Sequence, residues 1–298
     1  MNIEKLYPVY RDYLWGGNQL KARYGKKGAP DPCAESWELS FHRDGLTRLS
    51  DGRPLADVVT PADLGTRAAA FPAFPLMIKL IDAHESLSVQ VHPTDAYAMA
   101  NEGSFGKTEM WYIVEAEAGA SIYLGFSRDV TREEYEKAIQ NECLTDLLSL
   151  HPVKAGECYA IPAGTVHAIG AGCLICEIQQ NSNLTYRVYD YGRRDKEGNT
   201  RPLHIEKALA VSDLGRYQPP TLPDGVLGAS PYFHVEKHTV KGLISLATDG
   251  ESFHALTCVR GSGAIEGQPF AAGDTFFVPA SHGAYTVTGN AELILTRV

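Results

Sequence analysis

Gln90 and His92 lie two residues apart in the stretch Leu87-Ser-Val-Gln-Val-His-Pro93. Val89 and Val91 alternate there with Ser88, Gln90 and His92, the period-two pattern of a half-buried strand. Successive strand side chains point to opposite faces, so the three polar groups share one face. If the valines face a barrel wall, that polar face projects into a confined interior, where an unpaired polar group costs about 1–3 kcal/mol. A strand facing solvent explains the same alternation, and the rest of the chain has to decide. Gly156-x5-Pro162-x-Gly164-x2-His167 presents a histidine just beyond a tight turn set by proline and glycine. Glu109 heads a strand-like run of its own. Gln90, His92, Glu109 and His167 then form a set of nitrogen and oxygen donors. Such donors suit Zn²⁺ and similar divalent ions, and a catalytic site keeps one position open for water or substrate.

Several elements have to position these groups. The run 71–82 (FPAFPLMIKLID) reads as a buried strand interrupted by Lys79, either a side chain snorkelling at the strand's end or a cation in a pocket. Glu35-Ser-Trp37-Glu38-Leu-Ser40 reads as a strand carrying acidic groups. The turn Trp15-Gly16-Gly17 offers either a pocket wall or a packed indole. Thr94 to Glu102 reads as a short helix, and a long strand pattern follows from Lys107 to Tyr123. Thr131-Arg-Glu-Glu134 fits a capping box that opens a helical excursion to about Leu150. Strands return from 153 to about 191, and Leu203 to Leu214 reads as a helix.

Beyond the Pro219-Pro220 linker the pattern is β-rich. It contains Gly273-Asp-Thr-Phe-Phe-Val-Pro279, which echoes the Gly-x5-Pro of residues 156–162. An internal repeat of this kind indicates two related barrels. The second copy has no Gln-x-His pair, so it reads as structural, with His254 and His282 as ordinary polar residues. The expected architecture is mainly β: two related β-barrels with a small helical insertion. Residues 1–126 and 151–218 form the first barrel, 127–150 the insertion and 219–298 the second barrel.

Composition limits the function classes. Hydrophobic residues at 44% and charged residues at 21% are those of a soluble globular protein. No run approaches the roughly 20 apolar residues that cross a bilayer. The N-terminal stretch lacks an apolar signal core, which makes the cytoplasm the expected location. A net charge of −9 argues against a nucleic-acid or anionic-membrane surface. An anionic small substrate then needs a local cationic pocket. Six cysteines are scattered, and the CxxC of Cys173 and Cys176 falls in a strand-like run that points the two thiols to opposite sides. They read as structural thiols in a reducing compartment.

The Gly-x5-Pro-x-Gly-x2-His run resembles the second signature of the cupin barrels, which implies that the mainly β fold consists of two cupin-type jelly-roll β-barrels with a small helical insertion. Leu87-Ser-Val-Gln-Val-His-Pro93, the Gly-Lys-Thr-Glu of residues 106–109 and Asn183-Leu-Thr-Tyr-Arg187-Val-Tyr-Asp190 resemble the short bacterial form of the type I mannose-6-phosphate isomerase family. The similarity runs from Trp15-Gly-Gly through Tyr189-Asp-Tyr-Gly192. It implies a zinc ion held by Gln90, His92, Glu109 and His167. It implies that Ser88, Lys79 and Lys107 help to hold the phosphate, and that Arg187 and Glu177 lie in the catalytic pocket. Longer members carry a larger helical domain, for which only about residues 127–150 are available here.

The implied reaction interconverts mannose 6-phosphate and fructose 6-phosphate through an enediol(ate), moving one proton between C2 and C1. A metal with an open position stabilises the charge that develops on the neighbouring oxygens, and Arg187 adds to that electrostatically. Glu177 is the candidate proton carrier, a carboxylate that screening from water raises toward neutrality. Equally, Glu177 is a buried partner of Arg187, which is then a salt-bridge residue. Lys79 and Lys107 precede the ligand-bearing strands and suit a phosphate monoester as point charges. Two other classes share parts of this pattern. Two histidines and one carboxylate make the facial triad of non-haem iron oxygenases, and a non-catalytic sugar-binding cupin also keeps the barrel.

Overall fold

Val89 and Val91 turn into a packed layer, and the polar residues beside them turn the other way. In a computed structural model of the chain, which describes residues 1–194 and 197–298, this strand runs Val89–Val91. It lies in a five-stranded sheet ordered Leu148–Pro152, Ser121–Phe126, His167–Ile169, Val89–Val91, Tyr186–Tyr189. Facing it is a six-stranded sheet ordered Cys158–Ile161, Glu109–Ala116, Cys173–Gln180, Leu76–Ala83, Glu35–Leu39, Val9–Arg11. All pairings are antiparallel.

Each sheet is covered on both sides, and this explains the sequence patterns. The run Leu76–Ala83 is buried at every position because Leu76, Ile78 and Leu80 pack outward while Ile81 and Ala83 face the partner sheet. A strand covered on both faces reads as a continuous apolar run, with no visible alternation. Lys79 lies in the middle of that strand, with 3% exposure. It does not snorkel from the end. Cys173 and Cys176 fall in the inner and outer clusters respectively, and all six thiols are free.

The outer face of the five-stranded sheet, including Val89, Val91 and Val188, packs under the helices Arg132–Gln140 and Ile205–Val211 through Tyr135, Ile139, Ala208 and Leu209. The capping box forms: Glu134 N donates to Thr131 Oγ1 at 3.1 Å, and Thr131 N donates to Glu134 Oε2 at 2.7 Å. The helical excursion ends earlier than expected. Residues from Leu148 already form a strand on Ser121–Phe126, because edge pairing there outweighs local helical preference.

The outer face of the six-stranded sheet packs against the C-terminal unit, with Leu39, Ile78, Met110 and Ile178 meeting Phe233, Phe253, Phe277 and Ile294. That unit is a seven-stranded sheet curled over its own core of Val240, Leu256, Phe276, Val287 and Leu293. The repeat is visible in the turns. Gly156 and Gly273 both adopt positive φ, +93° and +96°, just before the strands Cys158–Ile161 and Thr275–Val278. Side chains other than glycine rarely tolerate that conformation. The strand Glu4–Lys5 pairs with Phe276 and Phe277, so the start of the chain joins the second sheet. Among the described residues no helix is long and apolar enough to cross a membrane.

Polar groups also join the two units. Buried Lys26 pairs with Glu38 Oε1 at 2.6 Å and donates to Gly273 O. Ser36 Oγ donates to Glu38 Oε1 at 2.6 Å, and Thr275 Oγ1 donates to Oε2 at 3.2 Å. Removing one partner strands the other charge, so Glu38→Ala is expected to lower unfolding stability by about 3–5 kcal/mol; a denaturation midpoint equal to wild type would contradict this. In the C-terminal unit, His254 Nδ1 contacts the Tyr285 hydroxyl at 2.8 Å, and burial pushes its pKa down from 6.5 to about 4. The unfolded chain takes up this proton at higher pH than the native one. Its contribution to stability is therefore complete above about pH 6.5 and is lost as pH falls toward 4. Urea midpoints of His254→Gln are expected to vary less over that interval than those of wild type.

Candidate active site and metal centre

The site is built where the two sheets face each other. On the five-stranded sheet, Gln90 has His167 opposite it on one neighbouring strand and Arg187 on the other. On the six-stranded sheet, Glu177 lies opposite Trp111 on one side and Lys79 on the other, and Lys79 lies opposite Trp37. Glu109 stands at the head of its strand, opposite Gln179. His92 follows Val91 directly and Ser88 precedes Val89, so both share Gln90's face as alternation requires.

His92, Glu109 and His167 converge. One donor atom from each lies within 4.8 Å of the others, and all three residues are buried. His92 Nδ1 donates to Leu184 O at 2.9 Å and His167 Nδ1 donates to Thr165 O at 2.8 Å. Both Nε2 atoms therefore carry lone pairs aimed inward, that of His92 facing Lys107 Nζ and that of His167 facing the Gln90 amide. Burial holds both imidazoles neutral, His167 with a pKa of about 4 and His92 well below its ordinary value. His167 Nε2 faces Glu109 Oε1 at 3.4 Å, and that oxygen is buried without a hydrogen-bond partner. Two acceptors pointed at each other out of water call for a cation between them. The Gln90 amide nitrogen donates to the same Nε2 at 3.4 Å, which sets the amide, whose oxygen is its ligating atom, beside the cluster. This donor set fits a divalent ion of the zinc type.

Lys107 and Lys79 line the cavity floor, each against carboxylates. Lys107 Nζ donates to Glu109 Oε2, lies 3.0 Å from His92 Nε2 and is 3.8 Å from Glu177 Oε1. Lys79 Nζ lies 3.6 Å from both Glu35 Oε2 and Glu177 Oε1, and 5.1 Å above the Trp37 ring. Both ammonium groups are thus taken up by carboxylates, whereas the sequence reading gave them to the phosphate. Burial alone lowers the pKa of Lys79; the carboxylates, Glu35 first, reverse this and keep it charged.

The expected Glu177–Arg187 pair does not form. Glu177 Oε2 accepts from Trp111 Nε1 at 2.9 Å, while Arg187 Nη1 donates to Pro202 O at 3.0 Å. Nor is Glu177 raised toward neutrality. Burial acts in that direction, but Lys107, Lys79 and the indole outweigh it and hold the carboxyl below its ordinary value. Glu109 moves the other way, to about 7, through burial and the nearby Glu177 charge.

A cavity of about 270 Å³ opens over this floor, lined by Ser88, Gln90, Lys79, Lys107, Glu177 and Arg187. Sequence reasoning gave no role to other lining residues: Glu35, Tyr13, Asn183, Thr185 and Arg201. Strand parity could have found Glu35, which shares an inward face with Trp37. Arg201 lies on a loop and carries no periodic signal. Trp15 is both things considered for it, buried and part of the wall.

Comparison with known proteins agrees with this geometry. Residues 3–119 match the family model for the catalytic domain of type I phosphomannose isomerase, and residues 227–298 match that for the cupin domain of mannose-6-phosphate isomerase. A mannose-6-phosphate isomerase of Streptococcus mutans is 34% identical over 300 residues, 95% of this chain and 94% of that protein. One from Bacillus subtilis is 34% identical over the full length of both. The crystal structure of a Bacillus subtilis mannose 6-phosphate isomerase superposes with a TM-score of 0.91 at 32% identity, covering all of both chains. Similarity that runs the whole length of these relatives, over a jelly roll with a buried His–Glu–His centre, makes this chain a member of the type I mannose-6-phosphate isomerase family.

Proposed function

We propose that the chain interconverts mannose 6-phosphate and fructose 6-phosphate, with Zn²⁺ held by Gln90, His92, Glu109 and His167. The observation that carries the reading is the unpartnered Glu109 Oε1 facing the His167 Nε2 lone pair inside a cluster of three potential ligands. A divalent ion bound there supplies Lewis acidity to the substrate's C1 and C2 oxygens.

The chain's own residues supply the rest. Glu177, kept ionised by Lys79, Lys107 and Trp111, is the base that takes the proton from one carbon and returns it to the other. Lys107, on the cavity floor, and Arg187, beside Gln90, oppose negative charge developing on the substrate oxygens. Ser88 and Lys79 hold the sugar within the cavity. Burial of Lys79, Lys107 and Glu177 strengthens each of these interactions. An iron oxygenase built on the same two histidines and one carboxylate has no use for the Gln90 amide at the centre or for the row of charges beside it. A non-catalytic sugar binder has no use for an ionised base.

His92→Ala and His167→Ala are each expected to abolish both metal retention, read by elemental analysis, and isomerase turnover; full turnover in metal-free protein would refute the assignment. Glu177→Gln is expected to keep the metal yet lose at least about 10²-fold in kcat. Exchange of the substrate's C2 hydrogen with deuterated solvent is expected to fall in parallel. Retention of that exchange at the wild-type rate would remove Glu177 as the base.

A further inference from the structure

Two arginines share one carboxylate at the outer edge of the cavity. Arg201 Nε donates to Asp190 Oδ2 at 2.8 Å and its Nη2 to Oδ1 at 2.5 Å; Arg193 Nη2 donates to the same Oδ1 at 2.6 Å. Asp190 is buried, and the two guanidinium groups overcome that burial to keep it ionised. Arg187 adds a third guanidinium: its pKa is lowered by burial and by the charge of Arg201, and its Nε is buried without a partner. The segment carrying Arg201 is tied to the Arg187 strand. His204 N donates to Arg187 O at 2.7 Å, Arg187 N to His204 Nδ1 at 3.1 Å and Arg187 Nη1 to Pro202 O at 3.0 Å. Arg187 and Arg201 both line the cavity.

Among the described residues, three guanidinium groups, Arg187, Arg193 and Arg201, gather around the one Asp190 carboxylate at this rim, on a protein whose net charge is −9. The floor is different, because its lysines are matched to Glu35, Glu109 and Glu177. The Arg201 side chain is also 23% exposed, against 4% for Lys79 and for Lys107. Asp190 holds Arg201 through Nε and Nη2, which fixes the plane of the guanidinium and leaves its remaining N–H groups for the oxygens of a phosphate.

We propose that Arg201, positioned by Asp190, binds the phosphate of the sugar phosphate at the cavity rim. The inference rests on the reading of the chain as a sugar-phosphate isomerase and moves the phosphate from the lysines of the floor to Arg201, just before Pro202 and His204. Glu177, Arg187 and Arg201 line one cavity, so a sugar bound over Glu177 shares that space with Arg201.

The test compares wild type with Arg201→Met and with Arg194→Ala, an exposed residue of the same loop whose guanidinium donates to Gly198 O. Inorganic phosphate is titrated into each by calorimetry and used as a competitive inhibitor of mannose 6-phosphate turnover. For Arg201→Met, the phosphate dissociation constant, its inhibition constant and the KM for mannose 6-phosphate are each expected to rise about tenfold or more, with the loss falling on KM and not on kcat. Arg194→Ala is expected to leave all three unchanged. An unchanged phosphate constant in Arg201→Met, an equal rise in Arg194→Ala, or no phosphate binding by wild type would overturn the proposal. Absence of turnover in wild type that still binds phosphate through Arg201 would instead count against the isomerase reading.

Discussion

Everything in the catalytic half of this molecule depends on keeping several charges out of water between two sheets. Lys79, Lys107, Glu35, Glu109 and Glu177 are all nearly inaccessible. An isolated ion in such a place is prohibitively expensive, so none of them is tolerable without its neighbours. The switch from dry core to charged floor is abrupt. Strand Cys173–Gln180 carries Ile175 in the apolar layer and Glu177 two residues later in the ionic one. Leu76–Ala83 does the same with Ile81 and Lys79. The apolar end of the sandwich, with Trp111, Ile113, Ile122 and Ile169, supplies the packing that lets the other end be assembled against local preference.

Local patterns in the sequence resolved much of this and failed where contacts are distant. Alternation at 87–93 identified the inward polar face because one side of that strand is apolar and the other is not. The Thr131 capping box and the paired glycine turns at 156 and 273 were readable because each is a property of a few adjacent residues. The position of Lys79 was not readable. A strand covered on both faces gives no parity, so its middle and its end look alike. The partners of Glu177 were missed for a related reason: Lys79, Trp111 and Lys107 reach it across strands, and only register decides which carboxylate they meet. The early strand at Leu148 likewise follows from pairing and not from propensity.

The two units are more closely joined than a linear division of the chain suggests. The catalytic jelly roll uses one outer face against its helices and the other against the C-terminal sheet. The second unit lacks the donor set, yet it covers the back of the strands that bear Lys79, Glu109 and Glu177. The Lys26–Glu38 pair and Thr275 carry that junction through polar contacts as well. Its role is mechanical: it fixes the sheet from behind so that register, and with it the charge matching in front, does not slip.

The strand Glu4–Lys5 is laid along Thr275–Val278 at the edge of the second sheet. Exposed edges of this kind invite pairing with other chains, and a short charged strand blunts them. Because its partner follows it so far along the chain, this strand stays unpaired until Thr275–Val278 has been made, and that edge of the sheet closes only then.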